Sequence, residues 1–353
     1  MARRLPDILP IEWPANAAAP PPGTDAALDR AARLIRSGGL VAIPTETVYG
    51  LATDALDSES VDRIFRVKGR PATNPLIVHV ADAAMARGLA AEWPAAAEAI
   101  TSRLWPGPVT VVVPKHRSVP DIVTAGGSTV ALRCPEHRLT RRLIERAGCP
   151  LAAPSANRSE GVSPTRAGHV LESLGDRVDL ILDGGPCQHG IESTVVDCTT
   201  TPPRILRPGP VSRDAIEAIL GGPLAGPHDA PEESGAGEPS RSPGTMARHY
   251  APRTPLELPP DADARVADLL RAGRRIGWLT LRADDAAVRG LAASRDLVVV
   301  PMPADPAGFA ACLYATLHAL DQRGLDAIIC DRPPAGEPWR AIHDRLSRAA
   351  THV

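Results

Sequence analysis

The chain is short of several residue types, and each shortage excludes something. Aromatic residues make up only 3% of its 353 residues: two Phe, three Tyr and five Trp. That is too few for the stacking platforms on which RNA-reading modules lay bases. Neither sign of charge is in excess, with 39 Lys+Arg against 41 Asp+Glu for a net of −2. This argues against a protein held to nucleic acid by bulk electrostatics and leaves room only for a local basic groove. No apolar run reaches the roughly 18 residues that a membrane-spanning helix needs. The N-terminal MARRLPDILPIEWPANAAAPPPG lacks the apolar core of a secretory signal. The six cysteines include no C-x-x-C pair and sit mostly among apolar neighbours. They read as reduced, packed thiols of a cytosolic protein, neither a disulfide frame nor a zinc site. Neither G-x-G-x-x-G nor G-x-x-x-x-G-K-[ST] occurs, so the two common phosphate loops are absent.

Two further scarcities turn into signals. Only two lysines (Lys68, Lys115) and three asparagines (Asn16, Asn74, Asn157) occur in a chain rich in Ala, Pro and Arg. A bias of that kind acts at every position, so a surviving Lys or Asn is mildly informative. The stretch RVKGRPATNPLIVH holds both Lys68 and Asn74.

The length predicts about two domains. Residues 1–23 are Pro/Ala-rich and read as an extended arm. TDAALDRAARLIRSGG reads as a helix with an Asp/Thr cap, LVAIP as a buried strand, and SESVDRIFRVK as a helix. PLIVHV, VTVVVP, STVALRCP, PLAAPS, DLILDGG, STVVDCT and RILRPG read as strands separated by further helices. This alternation predicts an α/β fold with one twisted open sheet flanked by helices over residues 24–221. Residues 222–253, rich in Pro, Gly, Ser and Glu, read as a linker. Residues 254–353 alternate again (RIGWLTL, DLVVVPM, a long helix, DAIICD, a last helix) and predict a small three-layer α/β domain.

Several polar residues fall beside the predicted strands. Lys68, Arg70 and Asn74 lie between a helix and a strand, which delivers them to one end of the sheet, where ligands of open α/β sheets gather. Two fixed cations there suit phosphate or carboxylate. The bland alternative is a helix end, with Gly69 as its left-handed cap. Thr45 and Thr47 offer hydroxyls after LVAIP, and Gly50 permits close backbone approach. Ser155 and Asn157, two apart, aim the same way past a strand, and Ser163 and Thr165 follow in a loop. Arg133, flanked by strand residues, needs an anion, either a structural carboxylate or a ligand. His79 alternates with apolar residues, and Ser193 and Arg207 lie beside strand ends. Each has a structural reading when taken alone. Together they describe a site of Arg, Lys, Ser, Thr and Asn with no nucleophile–base pair, suited to binding and polarising phosphates while the substrates supply the reactivity.

PTETVYGLATDA, KGRPATNPLIVHV, LWPGPVTVV, APSANRSEGVSPT, GIESTVVD and ILRPGPVS, in this order, resemble the YrdC/Sua5 family over roughly residues 25–215. The family's K-x-R…S-x-N signature stands here as Lys68-Gly69-Arg70 and Ser155-Ala156-Asn157. SPGTMARHYAP resembles the linker motif of the long Sua5 branch, which carries an extra C-terminal domain. It has Thr245 and Ala247 where bulkier residues are usual.

The resemblance implies a YrdC-like sheet followed by a Sua5 domain. The implied activity is threonylcarbamoyl-AMP synthesis from L-threonine, bicarbonate and ATP, with Mg²⁺ accompanying ATP. The product would pass to the machinery that installs t6A at position 37 of tRNAs reading ANN codons, and direct tRNA contact is left open. The same resemblance puts Thr47, His79, Arg133, Ala153 and Ser193 around threonine, with Arg133 on its carboxylate. It puts Lys68, Arg70, Asn74, Thr129, Ser155, Asn157, Ser163 and Arg207 around ATP, Lys68 and Arg70 being the catalytic pair. Tyr250 would close over the nucleotide as a lid. No side chain is assigned to a metal.

Three rivals stand against this. A carbamoyl-adenylate enzyme of hydrogenase maturation would bring zinc-finger cysteines and further domains. An RNA-binding module would bring aromatics. A generic nucleotide-binding protein would show no dependence on threonine.

Overall fold

In a computed structural model of the chain, the described residues are 5–11, 13, 19–225 and 249–350. Most of the expected linker, including Thr245 and Ala247 of its motif, lies outside them. The described residues fall into two compact units. The first draws on those within Met1–Ser159, Pro164–Gln188 and Glu192–Thr245. The second draws on Glu160–Ser163, His189–Ile191 and those within Met246–Val353.

The first unit is built on one ten-stranded mixed sheet. Its strands are β1 (Asp7–Pro10), β2 (Val41–Ile43), β3 (Gly50–Asp54), β4 (Ile77–His79), β5 (Val109–Pro114), β6 (Thr129–Arg133), β7 (Leu151–Ala152), β8 (Leu180–Asp183), β9 (Thr194–Asp197) and β10 (Arg204–Arg207). Their order is β1-β8-β2-β3-β7-β4-β6-β5-β9-β10. One face is covered along its length by helices Ser58–Lys68, Ala95–Leu104, Ala167–Leu174 and Arg213–Leu220. These bury Val61, Ile64, Ile100, Val170 and Ile216 against Leu51, Val78, Val111, Leu132 and Val196. On the other face, Leu28 and Ile35 of helix Thr24–Arg36 and Leu139 and Leu143 of helix Arg138–Ala147 pack on Val41, Ile43, Leu151 and Leu180. That cover reaches only the half formed by β8, β2, β3 and β7. Over β4, β6, β5 and β9 the same face carries a small cluster of strand residues, Ile77, Val112, Ala131 and Val195, with no helix residue among them.

Three local features differ from the sequence reading. Within the supposed arm, Asp7–Pro10 pairs in parallel with β8; an edge strand tolerates its proline. GLATD, read as part of a turn, is strand β3, because pairing with β2 and β7 overrides the weak strand preference of Gly, Ala and Asp. Helix Thr24–Arg36 starts behind Gly23, at φ 83°, with no side-chain cap, and Thr24 is inside it.

The second unit holds an all-parallel sheet of β11 (Leu256–Glu257), β12 (Ile276–Thr280), β13 (Leu297–Pro301) and β14 (Ala327–Cys330), in the order β11-β14-β12-β13. Helices run between its strands, as parallel connection requires. Trp278, Leu279, Ile328 and Ile329 are fully buried in it.

Candidate active site

Side chains alternate along a strand, so register decides which residues share the face of β4, β6, β5 and β9. His79 pairs with Arg133 and Ile77 with Ala131. Val112 pairs with Ala131 and Pro114 with Thr129. Thr110 pairs with Val195, and Arg207 with Val195. One surface therefore presents Thr129, Arg133, His79, Thr110 and Arg207 around the apolar floor of Ile77, Val112, Ala131 and Val195.

The turn after β2 is held by a relay of hydroxyls. Arg133 Nη1 donates to Thr47 Oγ1 at 2.8 Å, Thr47 and Thr45 hydroxyls meet at 2.8 Å, and Thr45 Oγ1 donates to Val48 O at 2.6 Å. Each hydroxyl has one proton, so Thr47 must donate to Thr45. Within this turn lies the residue the sequence reading missed. Glu46, 3% exposed, accepts from Arg133 Nη2 at 2.6 Å, and Arg133 is itself 4% exposed. Arg133 was expected to resolve its burial on a substrate carboxylate; a protein carboxylate already does so. The available signal was the single acid in PTETVYG, between threonines and next to a buried strand. Burial would raise the Glu46 pKa, but the charge and hydrogen bond of Arg133 outweigh it and hold the carboxyl below its ordinary value. For His79, burial and then the Arg133 charge lower the pKa from 6.5 to about 3, against the pull of Glu46. Its imidazole is therefore neutral at working pH.

This gives a pH prediction. Above pH 6.5 His79 is neutral whether folded or unfolded. Below it the unfolded chain binds a proton that the folded chain refuses, so stability falls as pH drops from 6.5 toward 3. Urea midpoints measured across that range should decline less steeply in His79→Gln than in the wild type. Equal slopes would contradict a buried neutral imidazole.

Next along the sheet, Ser193 is fully buried just before β9. Its hydroxyl lies 2.8 Å from Thr110 Oγ1, and Arg207 Nη2 donates to Ser193 Oγ at 3.1 Å and to its carbonyl at 3.0 Å. Arg207 therefore stands with Ser193, which the resemblance had placed in the other half of the site. Thr110 is a second residue that sequence reading passed over.

The remaining predicted residues gather at the start of β4. Helix Ser58–Lys68 buries Val61, Ile64, Phe65 and Lys68, a 3.6-residue stripe that carries the lysine onto the packed side. Gly69, at φ 62°, closes the helix in the left-handed conformation. Lys68 Nζ donates to Ser155 O at 2.5 Å and to Asn157 O. The two halves of the K-x-R…S-x-N signature are thus physically joined, with the lysine clamping the backbone of the Ser155–Asn157 loop. Burial, then the charge of Arg70, hold its pKa well below the ordinary lysine value. Arg70 is also buried, and it donates to Asn74 O (2.9 Å), Asn74 Oδ1 (2.6 Å) and Pro75 O (2.7 Å), shaping the turn into β4. Ala153 N donates to Ile77 O at 3.2 Å, and an isolated bridge pairs Ser155 with Gly50. A Cβ at Gly50 would lie 3.2 Å from Ala153 Cβ, a tight contact that Ala153 would have to relieve by a few tenths of an ångström.

Ser163 and Tyr250 belong to the second unit. The Ser163 carbonyl lies 3.1 Å from His318 Nε2, and Ala251 N donates to Glu160 O at 2.8 Å. Tyr250 is 1% exposed at φ 62°. Its ring stacks on Tyr314 at 5.7 Å and has the Arg345 guanidinium 5.1 Å from its centre. All six cysteines are free. Burial raises their thiol pKa values, Cys134 to about 11 and Cys198 to about 12, which keeps them unreactive.

Comparison with known proteins gives concordant matches along the chain. Residues 33–209 match the Sua5_yciO_yrdC family model, described as "Telomere recombination". Residues 211–351 match Sua5_C, described as "Threonylcarbamoyl-AMP synthase, C-terminal domain". The threonylcarbamoyl-AMP synthase of Bacillus subtilis is 39% identical over 92% of this chain and 93% of its own. That of Pyrococcus abyssi is 39% identical over 91% and 93%. The crystal structure of P. abyssi Sua5 complexed with L-threonine superposes with a TM-score of 0.85 at 36% identity, covering 98% of this chain and 97% of that one. The chain therefore belongs to the Sua5/YciO/YrdC family, in the long form that carries a Sua5 C-terminal domain.

Proposed function

We propose that the protein is a threonylcarbamoyl-AMP synthase, a nucleotidyltransferase that converts L-threonine, bicarbonate and ATP to L-threonylcarbamoyladenylate, pyrophosphate and water. The observation that carries this reading is the buried polar face of β4, β6, β5 and β9. It holds fixed cations and hydroxyls (Arg133, Arg207, His79, Thr110, Thr129) around an apolar floor, with no activated nucleophile. Such a surface orients reactants and neutralises charge, and leaves bond-making to the substrates. In this reading threonine lies against Thr47, His79, Arg133, Ala153 and Ser193. Its carbamate oxygen attacks the α-phosphorus of ATP. The turn shaped by Arg70 and Asn74 and the loop clamped by Lys68, with Ser155 and Asn157, hold the nucleotide together with Thr129 and Arg207. In this reading Arg70 neutralises the departing charge.

Among the described residues no group of three or more His, Cys, Asp or Glu gathers to hold a metal. In this reading Mg²⁺ accompanies the nucleotide substrate. The mixed anhydride is labile, so a transferase acting on tRNA must take it up promptly for t6A37 formation. ATP and tRNA place that work in the cytoplasm. No described helix is long and apolar enough to cross a membrane.

The test is pyrophosphate release from ATP by the purified protein. Release is expected only with both L-threonine and bicarbonate present. Release indifferent to threonine would restore the generic nucleotide-binding alternative.

A further inference from the structure

We propose that Glu46 is itself a substrate-binding residue, accepting an N–H of the amino-acid substrate's α-amino group while Arg133 takes its carboxylate. The inference rests on the reading above, that an amino acid is bound here, and adds the residue that recognises its nitrogen.

The observations concern what the buried ion pair leaves unused. Glu46 Oε1 is bonded to Arg133 Nη2, and Arg133 Nη1 is bonded to Thr47. The remaining atoms, Glu46 Oε2 and Arg133 Nε, are buried without a well-formed hydrogen bond, the carboxylate drawing only on weaker backbone N–H interactions from its own residue and Glu136. The same holds for Nδ1 of His79, the register partner of Arg133. Buried polar groups are nearly always satisfied, and a buried ion pair repays its desolvation only when its remaining lone pairs and protons are also bonded. A pair serving the fold alone should close on itself. This one keeps an acceptor on its anion and a donor on its cation.

A ligand completing both must present a donor bearing positive charge and an acceptor bearing negative charge a short distance apart. An α-amino acid zwitterion has that pattern: ammonium toward Glu46 Oε2, carboxylate toward Arg133 Nε. Arg133 and His79 are register partners on the sheet face whose apolar cluster contains no helix residue. The contact also outlasts the ammonium. Once the amine is carboxylated, its nitrogen keeps one N–H, and Glu46 still accepts it. Glu46 acts here as a positioning acceptor at every stage and takes no proton.

The experiment crosses a change in the protein with a change in the ligand. Binding of L-threonine and of (R)-3-hydroxybutyrate, the same molecule without its amine, is measured by calorimetry for the wild type and for Glu46→Gln. Glu46→Gln is expected to weaken L-threonine by at least about tenfold, the worth of a charge-assisted hydrogen bond. The amine-free ligand should change by less than about twofold. A purely structural Glu46, acting only through Arg133, would weaken both ligands by the same factor, and that result overturns the inference. If the wild type binds no L-threonine, the functional reading fails before the variant is considered. If Glu46→Gln shows no cooperative unfolding transition, Glu46→Asp keeps the charge that Arg133 requires and is put through the same comparison, with the same two outcomes deciding.

Discussion

Arg70→Ala is expected to cut threonine-dependent pyrophosphate release by about 10²- to 10³-fold, the usual loss when one fixed donor to developing charge is removed. L-threonine binding measured without ATP should stay within about twofold, because the proposed reading gives Arg70 no contact with threonine. The reasoning starts from the buried fork. Three bonds from Arg70 fix Asn74 and Pro75 at the entry to β4, so its loss removes a cation and also releases the turn that presents Asn74. Arg70→Lys should rescue little, since an ammonium has no planar fork to span a backbone carbonyl and a side-chain amide together. Recovery by Arg70→Lys to within about threefold of the wild type would show that charge alone matters and that the turn geometry does not.

Arg133→Ala is expected to do two things at once. It removes the partner of a carboxylate that is 3% exposed, and breaking a buried pair from one side costs about 3–5 kcal/mol of stability. It should also raise the L-threonine KM about 10²-fold while the ATP KM changes little, since a charged hydrogen bond and its companion are lost together. The two effects separate in a double variant. Glu46→Gln with Arg133→Met leaves no unpaired charge and fills similar volume, so it should regain most of the lost stability and still bind threonine poorly. If the double variant recovers threonine binding along with stability, Arg133 serves the fold alone and its place in the substrate pocket is wrong.

Much of this site was legible because its residues carry chemistry that the surrounding composition avoids. Lys68 and Asn74 stood out as rare residue types, and Gly69 announced a helix cap that the structure contains. What the sequence could not convey was where Lys68 would point. Its place on the buried stripe of its own helix, with Val61, Ile64 and Phe65, turns it inward to the carbonyls of Ser155 and Asn157. That pairing spans 87 positions of chain and has no local signature. Arg133 posed the complementary problem. Its need for an anion was plain from the strand around it, but the choice between ligand and carboxylate depended on the turn after β2 folding back to it, which brings Glu46 within 2.6 Å.

The fold shows the same division. Strands with continuous apolar runs, such as VTVVVP and DLILD, were readable from composition. GLATD and Asp7–Pro10 became strands through their neighbours, and nothing within those segments says so. Tyr250 was placed by motif on the nucleotide. Its ring lies beside Tyr314 and Arg345, a packing that depends on residues 64 and 95 positions further along the chain.

The most direct measurement follows the carbon of bicarbonate. The protein is incubated with ATP, L-threonine and ¹³C-bicarbonate, and the mixture is separated rapidly by liquid chromatography with mass detection. The account predicts an adenylate carrying the threonyl group and one heavy carbon, formed together with pyrophosphate and absent when any one substrate is withheld. An adenylate without the heavy carbon, or pyrophosphate formed while threonine remains unmodified, would contradict it.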